Sequence, residues 1–227
     1  MKKKVALALQ GGGAHGAFTW GVIERLLDEE DLEIVGVSGT SAGGMNAACT
    51  VQGLIQGGPK RAKELLFEYW SSISKLGKKI SPVQQSAYDS AVGLYNLDHT
   101  LPFKFFSGVK STFSPYEINP FNINPFFDFL KEFFDFKTIR ESKYYKIFLG
   151  TTNVKSGKIR IFSNSDFCAD VLLASACLPS LFQAVLVDGE YYWDGGYIAN
   201  PAIYPLINQT ESSDIILVQS VSSSYFH

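Results

Sequence analysis

Gly39-Thr40-Ser41-Ala42-Gly43 is a G-x-S-x-G pentapeptide. That spacing surrounds a nucleophilic serine when it joins a strand to a helix. Residues this small permit a turn tight enough to thrust the Ser41 hydroxyl out over the strand ends. The helix N-terminus behind it favours negative charge developing there. Without that context the pentapeptide is an ordinary Gly-rich turn packing a helix on a strand.

A nucleophilic serine needs a base, and the chain has three histidines, His15, His99 and His227. His227 is the last residue and His99 falls in a polar stretch. His15 lies near the serine turn but belongs to the start of a helix. Asp194 is the better candidate, because it directly follows a strand and Gly195-Gly196 let backbone and substrate come close. A carboxylate can take the serine proton without an orienting third member. Its low intrinsic pKa makes it a weak base, so placement and oxyanion donors must carry much of the barrier. A Ser-His-Asp esterase using His15 or His99 remains the alternative, as does Asp194 as a simple turn cap.

Gly11-Gly12-Gly13-Ala14-His15-Gly16 also spells G-x-G-x-x-G. The dinucleotide reading requires an acidic residue at the end of the next strand. Val37-Ser38-Gly39 occupies that place, and Glu33 lies at the strand's other end. The other use of such a loop is to aim bare backbone N–H groups at a charge. Beside Ser41, the Gly12 and Gly13 amides would face an oxyanion, where one donor is worth about 3–4 kcal/mol.

The elements that must position these residues follow from hydrophobic rhythm. Residues 5–9 are a continuous apolar run, expected of a strand buried on both faces. Phe18, Val22, Ile23, Leu26 and Leu27 then recur at helical spacing, and residues 32–37 read as a second strand. Strand–helix–strand at this length implies a parallel pair with a right-handed crossover, hence an α/β domain. Helices are expected over 45–54 and about 61–75, and strands over 145–151 and 158–162. A helix over 170–176 should stop before Pro179. Residues 185–193 read as a hairpin, since Asp188-Gly189 between apolar runs favours a type I′ turn, and 215–218 as a last strand.

Eleven of the 18 phenylalanines fall within 101–136. This segment reads as core under an irregular cap, or as an acyl-chain pocket. On a helix over 126–136, Phe126, Phe129 and Phe133 form the core stripe. Phe127 and Phe134, seven apart on an adjoining stripe, are candidates for a lipid-facing wall.

The 227 residues fit one domain, 1–227, and the 46% hydrophobic and 19% charged fractions suit a globular protein. Net charge −2 offers no footprint for nucleic acid. Cys49, Cys168 and Cys177 lack C-x-x-C spacing, so neither a disulfide framework nor a zinc site is expected. A reducing compartment fits best. The apolar run after Met1-Lys2-Lys3-Lys4 stops at Gln10, short of the roughly 7–15 residues of a signal core. Residues 171–187, the longest uncharged stretch, fall below the about 18 apolar residues of a membrane span. The expectation is a cytoplasmic protein, or one exported without a classical signal, with no transmembrane helix.

Gly11-Gly12-Gly13-Ala14-His15-Gly16, Gly39-Thr40-Ser41-Ala42-Gly43 and Asp194-Gly195-Gly196, in this order, resemble the three signatures of the patatin-like phospholipases. Ala174-Ser175-Ala176-Cys177-Leu178-Pro179 with Phe182 resembles a fourth block. The stretch Ser114-Pro115-Tyr116 through Asn122-Ile123-Asn124-Pro125 is similar to a bacterial branch. The resemblance implies a three-layer α/β/α fold with a mostly parallel sheet, and a Ser41–Asp194 dyad without metal or cofactor. It also implies hydrolysis of a lipid or acyl ester, with peripheral membrane contact. His15 stands where many relatives carry Lys or Arg. Relatives of this branch continue past the last strand, so a shortened C-terminal part is expected. A non-catalytic lipid-binding or interaction module on this fold is the second alternative.

Overall fold

The computed structural model describes residues 2–80 and 114–220. His99, His227 and the first part of the Phe-rich segment lie outside the described residues.

Strand β1 (Lys3–Leu9) and strand β2 (Leu32–Gly39) are joined by a short 3-10 turn and helix α1 (Gly16–Leu27). They pair in parallel from Lys3↔Leu32 to Leu9↔Gly39, so both strands end side by side. Strand β7 (Asp214–Val218) pairs in parallel with the other edge of β1, and strand β3 (Lys146–Asn153) with β2. Strands β4 (Ile159–Ser163) and β6 (Glu190–Asp194) are both antiparallel to β3, and β5 (Val185–Val187) is antiparallel to β6. The sheet is therefore mixed, parallel through β7-β1-β2-β3 and antiparallel beyond it. The β5–β6 hairpin turns at Asp188 and Gly189 with φ of 50° and 81°. Both are positive, as a type I′ turn requires.

The alternation of β1 sorts its side chains to two faces. Val5, Leu7 and Leu9 enter the larger core, beneath α1, α2 (Ala42–Ile80), α4 (Pro125–Phe133), α5 (Phe136–Glu141) and α6 (Ala169–Ser175). Ala6 and Ala8 face a thinner layer with Phe148 and with Leu206 of α7 (Tyr204–Gln209). The two helices expected over 45–54 and 61–75 are both in α2, which breaks at Gly57-Gly58 before Pro59. Pro59 has no N–H to give an upstream carbonyl and suits the first turn after a break. A separate short helix, α3 (Pro115–Ile118), opens the second described stretch.

The Phe-rich helix differs from expectation. It ends at Phe133, Phe134 is extended (φ −98°, ψ 136°), and Asp135 caps a new helix through the Thr138 amide. The Asp135 amide itself donates to Gln52 at 2.8 Å. The seven-residue stripe through Phe127 and Phe134 presupposes one continuous helix, and the Asp135 cap interrupts it. Phe134 turns inward, 4% exposed, against Tyr69, Phe133 and Phe136. It is a core residue, not part of a lipid-facing wall.

Candidate active site

The serine turn is built by exclusion. A Cβ on Gly43 would collide with the Leu9 carbonyl oxygen, and one on Gly39 with the Gly43 carbonyl. Only glycine lets the start of α2 lie this close to the ends of β1 and β2. Ser41 takes the corner at φ 56°, the left-handed region that side-chain-bearing residues avoid. Its amide donates to the Ser175 carbonyl at 2.9 Å and to the Ser175 hydroxyl at 3.1 Å. The preceding residue is fixed too, since the Thr40 hydroxyl donates to the Ala199 carbonyl at 3.0 Å.

Parallel pairing brings the glycine loop alongside. Gly11 packs on the Thr40 carbonyl and on Ser41 so closely that no Cβ fits. The Gly11 amide donates to Asn200 Oδ1 at 2.6 Å. Gly12 and Gly13 are exposed, and their amides donate to no acceptor among the described residues. Gly16, read from sequence as part of this loop, instead starts α1. It is buried against Ala42 and the Trp70 ring, which leave no room for a side chain.

Asp194 ends β6 opposite Thr151 of β3 and is 2% exposed. Its amide donates to the Cys177 carbonyl at 2.8 Å, and its carbonyl accepts the Thr152 hydroxyl at 2.9 Å. Its Oδ1 accepts the Gly196 amide at 2.7 Å, capping the turn that follows. Burial pushes the Asp194 carboxyl above its ordinary value, and the Gly196 amide bond and then the nearby Ser41 hydroxyl hold it part of the way back. The carboxylate that caps this turn lines the same pocket as Ser41. Gly195 is pressed against the Gly150 carbonyl, where a side chain would not fit. Burial, and then the Asp194 charge, lift the neighbouring Cys177 thiol to about 12, which keeps it an inert core thiol.

Ser41, Asp194, Gly11, Gly12, Gly13 and Gly196 line one pocket of ≈ 300 Å³, completed by Leu178, Tyr197 and Asn200. The last three were not singled out in the sequence. Leu178 lies inside the fourth family-like block and Tyr197 directly follows Asp194-Gly195-Gly196, so both could have been found there. Asn200 had no local signal, because its partner Gly11 lies at the other end of the chain. His15 is exposed on its 3-10 turn and does not line this pocket. Phe127 lines a different hollow, with Leu173 and Phe182, and the Lys131 ammonium lies over its ring at 4.6 Å. Among the described residues no His, Cys, Asp and Glu gather in a group able to hold a metal ion. No described helix is long and apolar enough to cross a membrane.

A family model described as patatin-like phospholipase matches residues 7–207. A search of curated proteins finds no match. Among solved structures, the crystal structure of VipD from Legionella pneumophila aligns with TM-score 0.50 at 17% identity. The alignment covers 95% of this chain and 49% of that one, so the chain spans about half the length of that relative. The ExoU–SpcU complex from the type III secretion system of Pseudomonas aeruginosa aligns at 15% identity over 99% of this chain and 48% of that one. Its TM-score of 0.32 is too low to speak for a shared fold.

Proposed function

Since the chain belongs to the patatin-like phospholipase family, we propose that it is a lipid acyl hydrolase working through a Ser41–Asp194 dyad. The observation that carries the reading is that Ser41 and the buried Asp194 line one pocket, whose other wall is the Gly11–Gly13 loop.

Asp194 accepts the Ser41 proton as Oγ attacks the ester carbonyl carbon. The Gly12 and Gly13 amides hold the oxyanion of the tetrahedral intermediate. As that intermediate collapses, the C–O bond to the alcohol or lysolipid breaks, and Asp194 returns the proton to the leaving oxygen. Water then gives a proton to Asp194 and attacks the acyl-serine, and the fatty acid leaves as Ser41 regains its proton. Burial of Asp194 supports this role, because a carboxylate with a raised pKa is a stronger base than one in water. Leu178 and Tyr197 supply the apolar wall on which an acyl chain would lie.

The test is a fluorophosphonate probe on the purified chain, followed by hydrolysis of phospholipids, neutral lipids and acyl-CoA. Labelling at Ser41 with turnover of at least one lipid class is expected. Lipid binding with neither labelling nor turnover would instead identify a non-catalytic module.

A further inference from the structure

One loop reaches both walls of the pocket. The carbonyls of Ala199 and Ala202 accept the Thr40 hydroxyl at 3.0 Å and the Ser38 hydroxyl at 2.6 Å, which ties the loop to the strand leading into Ser41. Between them, Asn200 turns to the opposite wall and holds Gly11 from both sides. Its Oδ1 accepts the Gly11 amide at 2.6 Å, and its Nδ2 donates to the Gly11 carbonyl at 3.5 Å. The Gly11 donor and acceptor fix which end of the Asn200 amide is oxygen. Gly11 in turn lies against Thr40 and Ser41 with no space for a Cβ, and is followed by Gly12 and Gly13 with their unengaged amides. A displacement of Gly11 is therefore a displacement of those amides relative to Ser41.

We propose that Asn200 is a positioning residue for hydrolysis, setting the Gly12 and Gly13 amides against the oxyanion formed at Ser41. The inference rests on the dyad reading above. The Asn200 amide bonds to Gly11 rather than to Ser41 or Asp194, so its loss should spare substrate binding and weaken only what binds the tetrahedral state. Misplacement of a catalytic group by about 1 Å can cost on the order of 100-fold in rate.

The experiment compares Asn200→Ala with the wild-type chain on a soluble short-chain ester. It measures kcat, KM and the Ki of an alkyl trifluoromethyl ketone, which forms a tetrahedral adduct on a serine hydroxyl. The expected result is kcat lower by about 10- to 100-fold, KM nearly unchanged, and Ki raised by the same factor as kcat/KM falls. Ki does not depend on the fraction of folded protein, so a merely structural loss would lower kcat and leave Ki unmoved. That result would overturn the proposal. So would a kcat near wild type, or a change confined to KM. If Asn200→Ala does not accumulate, Asn200→Gln makes the same test, because its amide sits one methylene too far to meet both Gly11 groups. A wild-type chain with neither Ser41 labelling nor turnover would sink the dyad reading, and this inference with it. Wild-type turnover with an unaffected Asn200→Ala would sink this inference alone.

Discussion

The amide of Ser41 is gripped by two oxygens of Ser175, the carbonyl at 2.9 Å and the hydroxyl at 3.1 Å. The pair ties the end of α6 to the serine turn and helps hold a residue at φ 56°. Left-handed backbone costs a side-chain-bearing residue about 1–2 kcal/mol, which the surrounding packing offsets. A side chain kept under this strain is rigidly aimed.

Ser41→Gly should therefore raise stability while abolishing hydrolysis. Relief of about 1 kcal/mol corresponds to a Tm increase of roughly 2–4 °C for a chain of this size. Ser41→Ala should lose activity equally but keep the strain. Thermal melts and soluble-ester assays check both. Turnover above about a tenth of wild type in a folded variant would mean that another group is the nucleophile.

Asp194→Asn should cost nearly as much turnover as Ser41→Ala, since dyad members act as a unit. Its stability should move the other way. Burial raises the folded-state pKa of Asp194, so the folded chain binds this proton more readily than the unfolded chain does. The associated stability is present below the ordinary aspartate value of 3.8 and is lost as pH rises through the folded value. At neutral pH the wild type bears the full cost of an ionised buried carboxylate, which asparagine removes. Tm of the variant should exceed that of wild type near neutrality, with the gap closing towards acid. For the same reason the acid limb of kcat/KM should fall at a pH above 3.8. It should stay in place in His15→Ala, whereas a histidine base would lose it.

The glycines of the turn should separate sharply from an ordinary helical glycine. Gly43→Ala would drive a methyl into the Leu9 carbonyl, whereas a Cβ on Gly21 in α1 meets nothing within 4 Å. Gly43→Ala should unfold the turn or fail to accumulate. Gly21→Ala should gain about 0.5–1 kcal/mol from helix propensity, with activity unchanged. Denaturant melts of the two variants decide it.

Phe134→Ala should cost about 3–5 kcal/mol of stability, as deletion of a buried aromatic does. Phe127→Ala should cost less, because its ring is only half-buried and lies partly under Lys131. In folded protein neither change should alter the ratio of long- to short-chain kcat/KM. A flattened chain-length profile in Phe127→Ala would show that its hollow receives the acyl chain after all.

The tight turns of the candidate site were legible in the sequence because each is a local steric demand. Gly39-Thr40-Ser41-Ala42-Gly43 can make its turn only with glycine at the contact positions, and Asp188-Gly189 can make its hairpin only with both φ values positive. The apolar run of β1 and the helical spacing of α1 announced the parallel pair for the same reason, since strand and helix periods are written into neighbouring residues. What joins distant parts was decided by the tertiary structure alone. The packing of helix, loop and sheet brings Asn200 to Gly11, Ser175 to the Ser41 amide and Asp194 into the pocket of Ser41, and no local pattern encodes those meetings. The burial that raises the Asp194 pKa is likewise a property of the assembled sheet. Phe134 makes the same point from the other side: its stripe was sound for an unbroken helix, but the Asp135 cap and the Gln52 contact ended that helix at Phe133. The chain chose the arrangement that buries the ring and satisfies the backbone together, a balance set by neighbours far away in sequence.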